Sequence, residues 1–103
     1  MPVLLQIDFK MDPRFLGERL SREAAGLAES INAEPGFISK IWTEDERAGE
    51  AGGVYLFADR DSAERYLTMH QARVAAMGAT DIRSRIFDIN EPLTRINHGH
   101  LGN

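Results

Sequence analysis

The stretch that decides the fold is EPGFISKIWTE (residues 34–44), followed by a charged loop and then by GGVYLF (residues 52–57). Pro35 and Gly36 end whatever element precedes the stretch, and the β-branched and aromatic residues after them favour extended structure. The pattern therefore predicts two neighbouring antiparallel strands, joined by an exposed loop over residues 45–51.

The segments on both sides of this pair have the periodicity of one strand and one helix each. Apolar residues alternate over residues 3–9, which predicts a first strand. Apolar residues then recur at steps of three and four from Asp12-Pro13 to Ile31, which predicts one helix with Asp12 as its cap. A second helix is expected to begin at residues 59–61 and to end near Gly78, and residues 80–90 read as a fourth strand.

The order strand, helix, strand, strand, helix, strand predicts an α+β protein of the ferredoxin-like class. In this class the four strands form one antiparallel sheet and both helices cover the same face. We expect a single domain over residues 1–103, because this length suits one domain and not two. Residues 91–103 follow as a tail, either a short helix or an arm that reaches a partner subunit.

Composition excludes several classes of function. The formal net charge of −4 argues against nucleic-acid binding, which requires a basic face. The absence of cysteine excludes disulfides, thiolate metal sites and iron–sulfur clusters. No signal-peptide pattern and no apolar run of the ~20 residues needed for a membrane span are visible, so we expect a cytoplasmic protein without a membrane partner.

The alternation within each strand assigns its residues to the two faces of the sheet. A register error of one residue would reverse any strand in this assignment. Toward the helices we expect Leu5, Ile7, Phe37, Ile41, Val54, Leu56, Ser84 and Ile86. Away from them we expect Gln6, Asp8, Lys40, Trp42, Tyr55, Phe57, Arg83, Arg85 and Phe87.

The second face would expose four large aromatic side chains. Each such ring buries about 150–250 Å² when covered, and monomers seldom expose more than roughly 300–600 Å² of contiguous apolar surface. The simplest cover is a second copy of the chain, related by a two-fold axis. The sequence therefore predicts a homodimer that encloses a chamber lined by aromatic and cationic side chains.

Five residues are candidates for a functional site. His70 lies in the apolar stripe of the second helix, where it is either a general base or ligand contact, or a core histidine that donates one hydrogen bond. Trp42 and Tyr55 either flank a planar aromatic ligand or pack in the core or interface. Lys40 and Arg85 are cations within strands, which either hold an anionic substrate or form salt bridges with Asp8 or Asp88.

A metal site is not expected. His98 and His100 are two residues apart in the tail, where both are expected to face water. The glycine-rich residues 49–53 are not followed by a helix of the phosphate-binding kind, so a nucleotide loop is not expected either.

The chain resembles the YdhR-type monooxygenases of the dimeric α/β-barrel superfamily. The residues that carry the resemblance are ESINAEPGF (29–37), KIWTE (40–44), EAGGVYLF (50–57) and FDINEPL (87–93). The resemblance covers nearly the whole chain at matching spacing, and the superfamily's fold agrees with the predicted order of elements.

The resemblance implies a monooxygenase that oxidises small aromatic or phenolic compounds, with no bound cofactor, although flavin and haem both remain open. By analogy with the superfamily, a base deprotonates a phenol, cations stabilise the anion, and the anion gives an electron to oxygen. His70 would be the base, Arg85 or Lys40 the cation, and Trp42 and Tyr55 the walls of the pocket. Two alternatives remain, a non-catalytic module that binds a small ligand and a haem-binding relative in which His70 holds the iron.

Overall fold

The computed structural model describes residues 1–102. It contains four strands, four α-helices and one 3-10 turn over Pro13–Phe15. The strands are β1 (Val3–Lys10), β2 (Phe37–Asp45), β3 (Glu50–Phe57) and β4 (Thr80–Asp88), and the helices are α1 (Glu18–Glu23), α2 (Ala25–Ile31), α3 (Arg60–Ala76) and α4 (Glu91–Ile96).

The strands form one antiparallel sheet in the order β2-β3-β1-β4. The core lies between this sheet and α3, where β1 contributes alternate residues that are all buried: Val3, Leu5, Ile7 and Phe9. Tyr55 and Phe57 of β3 pack on Tyr66 of α3, with ring centroids 5.1 and 5.3 Å apart. The predicted ferredoxin-like fold is therefore confirmed.

The predicted faces are right for β1 and β4 but wrong for most of β2 and β3. In β2, Phe37 faces the helices as predicted, but a β-bulge follows between Phe37 and Ser39 and shifts the alternation by one residue. Lys40 and Trp42 therefore face the helices, and Ile41 faces away with 67% of its surface exposed.

Strand β3 is reversed for a different reason, because both of its faces are apolar. One face carries Val54 and Leu56, and the other carries Tyr55 and Phe57. Alternation alone therefore does not show which pair is buried. The larger aromatic pair is buried against α3, and the aliphatic pair is only half-buried on the open face.

The first helical segment is interrupted where one continuous helix was predicted. Asp12 does act as a cap, since its carboxylate accepts a hydrogen bond from the Arg14 backbone N–H at 2.9 Å. The 3-10 turn ends at Phe15, and Gly17 precedes α1 with a φ of 68°, which is left-handed and suits glycine. Glu44 of β2 accepts a hydrogen bond from the Gly17 backbone N–H at 3.0 Å, and this bond ties the interruption to the sheet.

The remaining helices begin at side-chain caps. Asp59 accepts a hydrogen bond from the Ser62 backbone N–H at 2.8 Å at the start of α3. The tail forms α4, whose first turn is capped by Asn90, and Gly102 lies against Ile38 of the same chain. A contact between the tail and a partner subunit stays a prediction, and Asn103 lies outside the described residues. Within residues 1–102, no helix combines the length and the apolar character needed to cross a membrane.

Candidate functional site

A cavity of about 290 Å³ lies between the sheet and the helices of the single chain. This volume is close to the lower end of the range for small-molecule sites, roughly 300–1,000 Å³. Most of the wall is apolar and comes from β1, from the helices α1, α2 and α3, and from residues that flank these helices: Phe9, Leu16, Leu20, Leu27, Val74 and Met77. The polar groups are concentrated on β2 and α3.

The floor of the cavity is formed by Lys40, Trp42 and Tyr55. The Lys40 Nζ atom lies 3.3 Å from the centroid of the Trp42 ring and 4.6 Å from that of Tyr55. Gly53 makes room for this arrangement, because a Cβ at that position would lie 2.7 Å from Lys40 Cε. The Trp42 side chain retains 38% exposure and so lies at the mouth.

One wall of the cavity is a hydrogen-bonded cluster on α3. His70 is buried, and its ring stacks on that of Tyr66 with centroids 5.0 Å apart. The Arg73 guanidinium donates to His70 Nδ1 at 2.8 Å and to the Tyr66 hydroxyl at 3.4 Å. The Tyr66 hydroxyl in turn donates to the Tyr55 hydroxyl at 3.4 Å, which connects α3 to the floor.

The contact with Arg73 fixes the proton on His70. Arginine only donates hydrogen bonds, so Nδ1 accepts and the proton of the neutral ring is on Nε2. Burial, with the charges of Lys40 and Arg73, lowers the pKa of His70 to about 3. His70 is therefore neutral at pH 7, and it has no free lone pair for a substrate proton, because Nδ1 accepts from Arg73 and Nε2 already carries a proton.

Lys40 lacks an acidic partner within residues 1–102, where no salt bridge involves it. Burial and the charge of Arg73 lower the pKa of Lys40 to about 7. The faces of the Trp42 and Tyr55 rings attract the ammonium form and so act in the opposite direction. Near neutral pH the amine is therefore partly unprotonated. Among the described residues that line the cavity, the one carboxylate is that of Glu23, which pairs with Arg19 at 3.2 Å.

Both tyrosines of the cluster are neutral phenols. Burial raises the pKa of Tyr55 and that of Tyr66 above their ordinary value.

In the described part of the chain, every side-chain nitrogen or oxygen that is fully shielded from solvent has a hydrogen-bond partner. His70 Nε2 and Lys40 Nζ have no hydrogen-bond partner in that part of the chain. Neither atom is therefore fully shielded, and both remain accessible from the cavity.

The structure brings together four of the five residues singled out from the sequence. His70, Trp42, Tyr55 and Lys40 line one cavity. Arg85 does not, because it lies on the opposite face of the sheet with its guanidinium carbon 4.9 Å from the Phe87 ring centroid. Among the described residues, neither Lys40 nor Arg85 forms a salt bridge with Asp8 or Asp88. Asp88 pairs with Arg60 instead.

Sequence reasoning missed Arg73 and Tyr66. Both follow from helical spacing, because residues three and four positions from His70 share its face of α3. An arginine three residues after a buried histidine is the signal that would have indicated the tautomer.

The arrangement at His70 does not suit haem ligation. An iron-bound histidine uses one nitrogen lone pair and donates its other N–H to a carboxylate or carbonyl. Arg73 imposes the reverse, with a donor facing Nδ1 and the proton on Nε2. Within residues 1–102, no group of three or more histidine or acidic side chains is placed to hold a metal ion.

Solved structures with the same fold include two oxygenases and a heme-degrading protein. A putative antibiotic biosynthesis monooxygenase from Deinococcus radiodurans is 13% identical with a TM-score of 0.64, covering 85% of this chain and 92% of that one. SnoaB, a cofactor-independent oxygenase from Streptomyces nogalater, is 17% identical with a TM-score of 0.59, covering 86% and 93%. The heme-degrader MhuD from Mycobacterium tuberculosis, with two hemes bound in its active site, is 20% identical with a TM-score of 0.53, covering 84% and 95%. At these identities the likeness shows the fold.

The family is shown by a separate comparison. No curated protein matches the chain at a significant level. Residues 4–100 match the family model described as "Putative mono-oxygenase ydhR". The chain therefore belongs to the ydhR family, which confirms the resemblance found in the sequence.

Proposed function

We propose that this chain is a cofactor-independent monooxygenase that oxidises small phenolic compounds in the cavity between its sheet and its helices. The observation that carries the proposal is Lys40, a lysine that has no acidic partner among residues 1–102 and whose amine faces an aromatic, largely apolar cavity. Membership of the ydhR family supports the reaction class.

Binding of a phenol follows from the shape and charge of the site. The rings of Trp42 and Tyr55 present flat surfaces to an aromatic ring, and the apolar walls exclude water from it. Lys40 and Arg73 make the cavity electropositive, because Glu23 is neutralised by Arg19. The site therefore favours an aromatic ligand that becomes an anion.

The proton step is assigned to Lys40. The neutral amine accepts the phenol proton, and the resulting ammonium remains beside the phenolate and stabilises it. His70 donates its Nε2–H to an oxygen of the substrate. In this proposal Lys40 takes the role of base that the sequence suggested for His70, because the Nδ1 atom of His70 is occupied by Arg73.

The oxidation takes its electrons from the substrate. The phenolate places negative charge on a ring carbon that carries one hydrogen and is a CH₂ group in the keto tautomer of the phenol, and an electron passes from this carbon to dioxygen. The carbon forms a bond to one oxygen atom, and the O–O bond then breaks. The other oxygen leaves as water with two hydrogens, the one on the carbon and the proton that Lys40 took from the phenol. The balance is R₂CH₂ + O₂ → R₂C=O + H₂O, which requires no external reductant.

We also propose that the chain works as a homodimer joined through the open face of its sheet. That face has a band of apolar side chains formed by Leu4, Ile41, Val54, Leu56 and Phe87, of which Ile41 is 67% and Phe87 38% exposed. A second copy would shield this band. The prediction that Lys40, Trp42 and Tyr55 line a chamber between two copies was wrong, because the bulge in β2 and the packing of β3 turn these side chains to the other side of the sheet, where they line the cavity within each chain.

The proposal is tested by oxygen uptake with polycyclic phenols whose keto tautomer carries a ring methylene group. Lys40→Met is expected to lower turnover by about 10²-fold or more, the usual contribution of a positioned proton acceptor. Lys10→Met is the matched control, because Lys10 is the chain's other lysine and lies outside the cavity. Its turnover is expected to equal that of the unmodified protein.

Two results would separate the alternatives. Saturable binding of the phenols with no oxygen uptake above background, with or without added flavin, would identify a binding module and overturn the enzymatic proposal. Equal loss of turnover in Lys40→Met and Lys10→Met would refute the assigned role of Lys40.

A further inference from the structure

Lys40 combines three properties that are seldom found in one lysine. Its amine has no carboxylate partner in the described residues, it lies over two aromatic rings, and it opens into a cavity of about 290 Å³. The other lysine, Lys10, is exposed at the end of β1 and does not line the cavity. The chain thus has one lysine in a site and one in water.

The groups around the amine keep it from being held as a salt-bridged ammonium. Arg73 and His70 face it from α3, the first as a cation and the second as a neutral ring. Tyr55 and Tyr66 are neutral phenols bonded to each other, and Glu23 is paired with Arg19. Desolvation and a neighbouring cation are the two conditions that activate a lysine as a nucleophile.

We propose that Lys40 is a nucleophilic amine that captures small aromatic aldehydes and ketones as a reversible imine. The nitrogen lone pair forms a bond to the carbonyl carbon, and the carbonyl oxygen takes up a proton to give a carbinolamine. Loss of that oxygen as water then forms the C=N bond. The balance is R–NH₂ + R′₂C=O → R–N=CR′₂ + H₂O, with no oxidation or reduction.

The cavity supplies the other requirements of this step. The flat faces of Trp42 and Tyr55 suit an aryl ring attached to the carbonyl. The Nε2–H of His70 has no partner in the described residues and provides a donor for the departing oxygen. The apolar walls lower the local concentration of water, which favours the imine over its hydrolysis.

This activity is independent of the proposed oxygenation. It requires neither dioxygen nor a phenol, so it can be measured without air and with a carbonyl compound alone. Failure of oxygen uptake would leave the capture of carbonyls intact, and the reverse also holds. The proposal broadens the ligand class of the cavity to aromatic carbonyl compounds.

The test is reductive trapping with benzaldehyde and cyanoborohydride at pH 7, followed by intact mass and peptide mapping. The unmodified protein is expected to gain one benzyl group at Lys40 at least about tenfold faster than at Lys10. A pKa only one unit below that of an ordinary lysine would give this ratio, because it makes the fraction of unprotonated amine about ten times larger. Peptide mapping separates both sites from the α-amino group of Met1. Lys10 serves as an internal control in the same sample.

Lys40→Arg keeps the cation and removes the primary amine. It is expected to abolish the fast labelling while Lys10 is labelled as before, with an unchanged thermal midpoint showing that the variant is folded. A benzaldehyde attached to a polymer too large to enter the cavity is expected to label Lys40 no faster than Lys10. Labelling of Lys40 by benzaldehyde at or below the rate of Lys10 in the unmodified protein would overturn the proposal, and so would fast labelling of Lys40 by the polymer-bound aldehyde.

Discussion

At the scale of single residues, Lys40 makes the stability of the fold depend on pH. Its pKa is about 7 in the folded chain against an ordinary 10.5, so the unfolded chain binds more protons between these values. The free energy of unfolding should therefore rise as the pH is raised from about 7 toward 10. Above that range it should fall again, because burial raises the pKa values of Tyr55 and Tyr66 in the folded state.

Urea denaturation at a series of pH values measures this dependence. Lys40→Met should remove most of the rise between pH 7 and 10, whereas Lys10→Met should keep it. The same rise in Lys40→Met as in the unmodified protein would show that another group is responsible.

Residue type and helical spacing were enough to select most of the site. The apolar stripe of the second helix singled out His70, and the strand pattern singled out Lys40, Trp42 and Tyr55. What they could not give was the role of His70, because that depends on where Arg73 places its guanidinium. Arg85 was selected by the same logic as Lys40, but the bulge in β2 separates the two onto opposite faces.

At the scale of elements, the sequence determined the order and nearly all of the bounds. The strand predicted over residues 36–44 is Phe37–Asp45 in the structure, and the strand predicted to begin at Gly52 begins two residues earlier, at Glu50. Strand faces were less predictable, because a β-bulge leaves no clear sequence signal and changes every later residue of its strand. In β3 both alternating sets are apolar, so only packing against α3 decides which set is buried.

The interruption of the first helical segment was not predicted, because the apolar periodicity continues across it. The apolar stripe runs without a break from Leu16 to Ile31, yet Gly17 has a left-handed backbone and Ala24 separates α1 from α2. The result is a short, bent cover over the cavity in place of one straight helix. Residues Leu16, Leu20 and Leu27 of this cover line the cavity.

At the scale of the whole molecule, the open face of the sheet predicts self-association. Ile41→Glu places a charge in the middle of its exposed apolar band and should shift the protein from dimer to monomer in sedimentation velocity at micromolar concentration. Met69→Glu is a suitable control, because Met69 is 40% exposed on α3, away from this face. Single chains in the unmodified protein, or equal association in both variants, would contradict the dimer.

The location of the ligand site is tested most directly by the fluorescence of Trp42, the only tryptophan of the chain. A small phenol that is transparent at the excitation wavelength should quench this fluorescence saturably. Ala51→Leu fills the buried side of the cavity and should therefore weaken binding of the phenol. The expected loss of affinity is about tenfold or more, or about 1.4 kcal/mol. Ile41→Glu, on the other face, should bind the phenol as the unmodified protein does. Quenching that does not saturate, or equal binding by Ala51→Leu and the unmodified protein, would show that ligands do not enter the space between sheet and helices.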